Sequence, residues 1–221
     1  MSYNFNFAVI WRQYDLLLEA LGLGLLLAAI SLLVGTAIGL ACGYAFRTTN
    51  KPLRAAVWCY VEFIRNVPLL LLIFFFYFGL PAIGIRTFDK YESFVITLSV
   101  YAGAYLTEVF RAGLTSVPER YVEAAKAIGL RPWQTQVYVV LPLTFRIVLP
   151  SLSNNFISLF KDTSLAAAIA IPELTFTARQ INANTFRVME AWLSASLLYL
   201  AASYLIALLL RQVEKRYSVI K

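Results

Sequence analysis

The 221-residue chain has no histidine, two cysteines and little charge, with 14% of its residues Asp, Glu, Lys or Arg where soluble proteins carry about 25%. Without imidazole there is no His-based triad, no HExxH zinc site and no imidazole proton shuttle. Cys42 and Cys59 are separated in sequence, each within an apolar stretch; they read as small buried hydrophobes and not as a disulfide framework or metal clip. Neither G-x-x-x-x-G-K-[ST] nor G-x-G-x-x-G occurs, so the chain has no recognisable phosphate cradle of its own. The N-terminus lacks a basic n-region and a small-residue cleavage site and does not read as a secretory signal. No internal repeat of fixed period is visible, which weighs weakly against inverted-repeat carriers.

What the chain has is apolar surface. Its composition is 60% apolar and 15% aromatic, with a mean hydropathy of +0.71. That excludes intrinsic disorder, and it is more apolar side chain than a water-soluble core of this length can hide. The expected class is an all-α integral membrane protein, one unit over 1–221. A bilayer core about 30 Å thick needs about 20 mostly apolar residues per helix. Five stretches qualify, at about 16–46, 57–80, 94–115, 143–171 and 190–211. The first is marked by 27 uncharged residues between Glu19 and Arg47, and the second by 20 between Arg65 and Arg86.

The net charge of +7 matters for where the positives sit and does not point to nucleic acid. Twelve Lys and Arg fall in the connections on one side of the five spans and five on the other. Positives accumulate on the cytoplasmic face, which predicts an outside N-terminus and a cytoplasmic C-terminus. Phe5, Phe7, Trp11 and Tyr14 suit a segment lying in the outer interface.

Within the spans, Ser31, Gly35, Gly39 and Gly43 place a small residue at every fourth position. Such a stripe allows close backbone approach, and we expect packing within the chain ahead of a seam between two copies. Pro68 and Pro150 predict kinks or helix restarts. Arg65, Glu108, Lys161 and Asp162 are ionisable groups at membrane depth, where such groups usually face the bundle interior or a wet cavity. Arg65 and Glu108 each lie about 12 Å from the inner end of their spans at 1.5 Å per residue. Matched depth predicts an ion pair that fixes helix register or contacts substrate. Lys161-Asp162-Thr163-Ser164 interrupts an apolar helix beyond the midplane. Asp, Thr and Ser compete with helical hydrogen bonding, so an unwound turn beside a cavity is expected. The alternative is a turn near the outer interface from which Lys161 snorkels.

Between spans three and four, Ser116 to Trp133 reads as a short helix, a glycine stop and a second helix start. Ser116 and Glu119 fit a capping box, with Pro118 in the first turn. Gly129 sits where a positive-φ residue closes a helix, and Pro132 opens another that runs to about Val140 before Pro142. Val122, Ala125 and Ile128 make one face apolar, while Glu119, Arg120, Glu123 and Lys126 make another polar. The pattern fits a docking element and equally a helix resting on the membrane surface.

The residues then decide by resemblance. Glu123-Ala124-Ala125, with Gly129 following and Leu141-Pro142 beyond, resembles the EAA loop of bacterial ATP-binding-cassette importer permeases. The segments Glu62 to Leu69, Ala104 to Gly113 and Phe160 to Leu165 resemble the polar amino acid branch of that family, and the likeness covers about residues 15 to 217. It implies a five-span permease in the bacterial inner membrane, paired with a second permease, identical or homologous. Two ATPase subunits holding ATP and magnesium would dock on the EAA loops, and an extracytoplasmic solute-binding protein would deliver the amino acid. Glu123, Ala124, Ala125 and Gly129 would form the ATPase-coupling helix. Lys161, Asp162, Thr163, Ser164 and Leu165 would border the ligand, with Glu108 and Arg65 as further pathway residues. The chain itself is expected to bind no cofactor and no metal and to catalyse nothing. A stand-alone channel or ion-coupled amino acid carrier would explain the intramembrane charges but leaves the EAA loop without a role. A membrane assembly factor with no transport site is a third reading.

Overall fold

The computed structural model describes residues 3–85 and 88–217. After a single helical turn at Ala8–Trp11 come α1 (Tyr14–Ala45), α2 (Lys51–Asn66), α3 (Leu69–Ala82) and α4 (Lys90–Thr115). Then follow α5 (Glu119–Ala127), α6 (Pro132–Ile169), α7 (Leu174–Thr185) and α8 (Val188–Tyr217). No strand occurs among the described residues. Lipid offers the backbone no hydrogen bonds, so each polar group must find a partner nearby, and a helix does this within its own segment. α1, α4, α6 and α8 are each long and apolar enough to cross a bilayer; α2 and α3 pass that test only as a pair, bent by 108°.

The bend is the kink or restart expected at Pro68, within the stretch expected at 57–80 as one span. Pro68 forces its predecessor out of the helical region, and Val67 is extended at φ −100 and ψ 133. α2 is amphipathic instead of evenly apolar: Val57, Val61 and Ile64 are buried, while Trp58, Phe63 and Arg65 are exposed. It starts at Lys51, where the Asn50 side chain accepts from the Leu53 amide at 3.2 Å.

The small-residue stripe organises the bundle. Gly35 faces Ala102 and Gly103, Gly39 faces Leu106 and Thr107, and Gly43 faces Phe110 and Arg111. The numbers rise together, so α1 and α4 run parallel, and the bent pair returns the chain to the end where α1 began. Ser31, Gly35, Gly39 and Gly43 are all buried, and the stripe is spent on packing within the chain. Two turns beyond Leu106 on α4, Gly113 faces Thr144 and Val148, and Phe110, which also lies against Gly43, meets Phe145 edge-on. α6 therefore runs antiparallel to α4. The core above this level gathers Leu27, Leu69, Ile73, Phe94, Leu98, Phe160 and Ile171.

α6 starts at Pro132, well before the expected 143, and neither Pro142 nor Pro150 interrupts it. A wider π turn at Gln136–Val140 directly precedes Pro142, where an ordinary turn would bring the ring against the Tyr138 carbonyl. α7 is an addition that the hydropathy pattern did not indicate; the Glu173 side chain caps its first turn. The N-terminal aromatic segment does more than rest on an interface. Tyr3 donates its hydroxyl to buried Glu190, the Asn6 amide donates to the same carboxylate at 2.8 Å, and Arg187 donates to the Asn4 carbonyl at 2.9 Å. Arg187 also lies 3.6 Å from Glu190.

A Cβ placed on Gly39 would come within 2.6 Å of Leu106 Cβ and 2.9 Å of the Leu106 backbone, whereas one on Gly22 meets nothing within 4 Å. Gly39→Ala is expected to destabilise by about 1–3 kcal/mol through overpacking. Gly22→Ala should be neutral or gain up to about 1 kcal/mol of helix propensity. Thermal unfolding in detergent distinguishes the two, and equal melting temperatures would refute the stripe's role.

Candidate functional site

Where α4 and α6 cross, Tyr101, Ala102 and Tyr105 face Asn155, Ser158, Leu159 and Asp162 across a cleft of about 230 Å³. The lining follows from helical spacing: Tyr101 and Tyr105 are one turn apart, as are Asn155, Ser158 and Asp162 in succession. The Tyr101 hydroxyl donates to that of Tyr105 at 3.3 Å, and their rings lie 4.9 Å apart. Asp162 is half-buried, and its carboxylate has no hydrogen bond or ion pair among the described residues. A charge placed at depth without a committed partner is costly.

The sequence-derived residues distribute as follows. Lys161 is exposed beside the cleft and not in its lining, Thr163 is fully buried, and Ser164 and Leu165 are half-buried. The expected unwound turn is replaced by a tightening: α-helical bonding continues through Asp162, then a 3₁₀ segment runs over Thr163–Ile169 and ends at Ala170 with φ 56. The Thr163 hydroxyl bonds back to the Phe160 carbonyl at 2.6 Å, so the polar side chains draw the helix in without opening it. A Cβ on Gly24 would touch Thr163 Oγ1 at 3.1 Å. That sets the segment about 15 Å from the start of α1 at 1.5 Å per residue.

The expected Arg65–Glu108 pair does not form. Glu108 is taken by Arg111, at 2.9 and 2.5 Å on its own helix. Arg65, in the last turn of α2, lies over the Tyr105 ring at 5.3 Å from the centroid, a cation–π contact. Depth matching missed this because the bend after α2 changes which face Arg65 meets, and a local i,i+3 partner costs less ordering than a distant one. Arg65 thus borders the cleft through Tyr105. Tyr101, Tyr105, Asn155 and Ser158 were overlooked; their signal was the one-turn spacing back from Glu108 and Asp162.

Behind the cleft, Glu173 is fully buried. Its carboxylate accepts from the Thr175 and Phe176 amides at 2.9 and 2.8 Å and from the Tyr199 hydroxyl at 2.7 Å. Burial raises the Glu173 carboxyl above its ordinary range, and these three donors act against that rise. No group of three or more metal-ligating side chains occurs among the described residues.

At the other end, α5 stops as expected at Gly129, with φ +80. The Gly129 amide bonds to the Lys126 carbonyl at 2.9 Å and the Leu130 amide to Ala125 at 3.0 Å, the paired closure of a Schellman motif. Nothing lies within 4 Å of a Cβ built on Gly129, so the backbone angle and not space demands glycine. The capping box is absent: Ser116 donates instead to the Ala112 carbonyl at 2.8 Å, closing α4. Ala125 is buried and seats the helix, while Glu123, Ala124 and Gly129 are exposed. Ile128, expected on the apolar face, is turned outward at 77% exposure, and Trp133 at 56% stands beyond it.

With separate partners for Arg65 and Glu108, exchanging the two charges is expected to give no recovery. The double variant should melt no higher than the sum of the single losses implies, as thermal unfolding can measure.

Residues 35–219 match the family described as the binding-protein-dependent transport system inner membrane component. The glutamine transport system permease protein GlnP of Escherichia coli (strain K12) is 33% identical over 218 residues, which is 98% of this chain and all of that protein. The probable amino-acid ABC transporter permease protein YckA of Bacillus subtilis (strain 168) is 35% identical over 217 residues, covering 98% of this chain and 96% of the relative. A crystal structure of an amino acid ABC transporter with histidines superposes at a TM-score of 0.88 with 27% identity, over 97% of this chain and 100% of the other. The chain therefore belongs to the binding-protein-dependent inner membrane component family, as a multi-pass inner-membrane permease of the amino acid ABC transporter type.

Proposed function

We propose that this permease subunit carries a polar amino acid inward through the cleft at Asp162. The observation that carries the reading is the uncommitted, half-buried Asp162 carboxylate opposite two tyrosine faces. An amino acid brings an ammonium group suited to that carboxylate and those rings. Its carboxylate suits the cations at the rim, Arg65 and Lys161, and Asn155 and Ser158 offer neutral hydrogen bonds to a polar side chain. The relatives named for glutamine transport make glutamine the first substrate to test.

In this reading the chain crosses the membrane five times, the α2–α3 pair counting once, with an outside N-terminus and a cytoplasmic C-terminus. α5 then lies on the cytoplasmic side, where exposed Glu123, Ala124, Ile128 and Gly129 offer a seat for an ATPase subunit. The chain has no nucleotide motif, so ATP and magnesium belong to that partner. ATP binding would move two coupling helices, one per permease, and shift the bundles between outward- and inward-open forms. That requires ATP to bind the two arrangements with different affinity. The cleft is open on one side, which fits coverage by a second permease, identical or homologous, and an extracytoplasmic binding protein would supply the substrate.

Asp162→Asn is expected to lower uptake into proteoliposomes holding the complete transporter at least tenfold, while the melting temperature stays near that of the wild type. Uptake at the wild-type rate would remove Asp162 from the pathway. Gly129→Val strains a backbone angle that β-branched residues avoid. It should leave the membrane helices folded but abolish ATP hydrolysis stimulated by the binding protein; normal stimulation would count against the coupling role. Uptake driven by an ion gradient without any ATPase would favour the carrier reading instead.

A further inference from the structure

We infer that Tyr199 and Glu173 are positioning residues for the substrate segment, a clamp through which α8 sets where Asp162 stands; this rests on the reading of Asp162 as a transport-site residue. Tyr199, midway along α8, reaches both ends of the stretch from Phe160 to Thr175. Its ring packs 5.4 Å from that of Phe160, whose carbonyl accepts from the Thr163 hydroxyl. The Tyr199 hydroxyl donates to Glu173 Oε2 at 2.7 Å and lies 3.2 Å from Thr175 Oγ1. One phenol therefore joins the turn that carries Asp162 to the cap that starts α7.

The stretch between these points has little freedom. Lys90 Nζ donates to the Ala170 carbonyl at 2.6 Å, and Arg179 donates to the Ala167 carbonyl at 3.2 Å, tying the 3₁₀ turn to α4 and α7. Toward α1, Thr163 has only the space over Gly24, where even a Cβ would come within 3.1 Å. A shift of α8 that moves Tyr199 must then displace Phe160, whose carbonyl holds the Thr163 hydroxyl, and Asp162 lies between those two residues. The extent of burial also exceeds what capping requires. A capping side chain works at a solvated helix end, and removing a carboxylate from solvent is costly unless its acceptor sites are filled. At Glu173 the third donor is the Tyr199 hydroxyl, which links the cap to α8.

The test uses the complete transporter in proteoliposomes, with its ATPase and glutamine-loaded binding protein. Tyr199→Phe keeps the ring on Phe160 and removes only the hydroxyl. It is expected to raise the KM for uptake about tenfold, the scale of a lost hydrogen bond to a charged group, with kcat little changed. Loss of folded transporter would lower the maximal rate and leave KM alone. Glu173→Gln, which puts an amide donor against a backbone donor, should shift KM in the same direction. In an Asp162→Asn background, Tyr199→Phe should add no further loss, since both act on one segment. An unchanged KM in Tyr199→Phe and Glu173→Gln, or effects that multiply independently with an impaired Asp162→Asn, would overturn the clamp alone. A fully active Asp162→Asn would overturn the site reading and the clamp with it.

Discussion

In lipid, helices gain nothing from hiding apolar surface from one another, so the arrangement of this bundle depends on how closely backbones can approach. Gly35, Gly39 and Gly43 set α1 against α4, and Gly103 returns the contact, with Ile38 Cγ2 at 2.6 Å from where its Cβ would stand. Gly113 does the same for α6 further along α4. α4 is thus held closely by both α1 and α6, and the separation of α4 from α6 follows from it. The cleft between Tyr101, Tyr105 and Asp162 is the place where that seam, tight at Gly113, widens.

Three carboxylates in the same half of the molecule show how the fold treats charge. Glu190 is consumed by the N-terminal segment, through Tyr3, Asn6 and Arg187. Glu173 is consumed by two amides and a phenol. Both are buried and satisfied, which is the condition under which such groups persist in a dry interior. Asp162 is neither fully buried nor satisfied, and it borders the cleft. The contrast between satisfied and unsatisfied neighbours separates structural charge from the candidate site more clearly than depth alone.

Much of this was legible in the chain. Long uncharged runs located α1, α4 and α8, the four-residue stripe found its partner within the molecule, and Gly129 occupies the left-handed position that its place after Ala127 required. Tertiary geometry overrode the pattern elsewhere. Hydropathy counts residues and not direction: Pro68 marked a kink or restart, but nothing in the pattern gave the 108° through which the chain turns there. The same turn re-aimed Arg65 from Glu108 to Tyr105. α7 is short and of mixed polarity, and its start depends on a glutamate cap that hydropathy reads as a loop. Of the four polar residues at Lys161, Asp162 lines the cleft, but the tyrosines opposite it look like ordinary core until α4 and α6 are placed together.

The π turn at Gln136–Val140 has a mechanical consequence. It lies within the single continuous helix that leads from the exposed α5 region to Asp162. Each wider turn interrupts the i→i−4 ladder of the helix around it. A displacement entering at Trp133 must cross this irregular turn before it reaches the regular helix beyond Leu141, so the turn stands at the root of the lever that ends at Asp162.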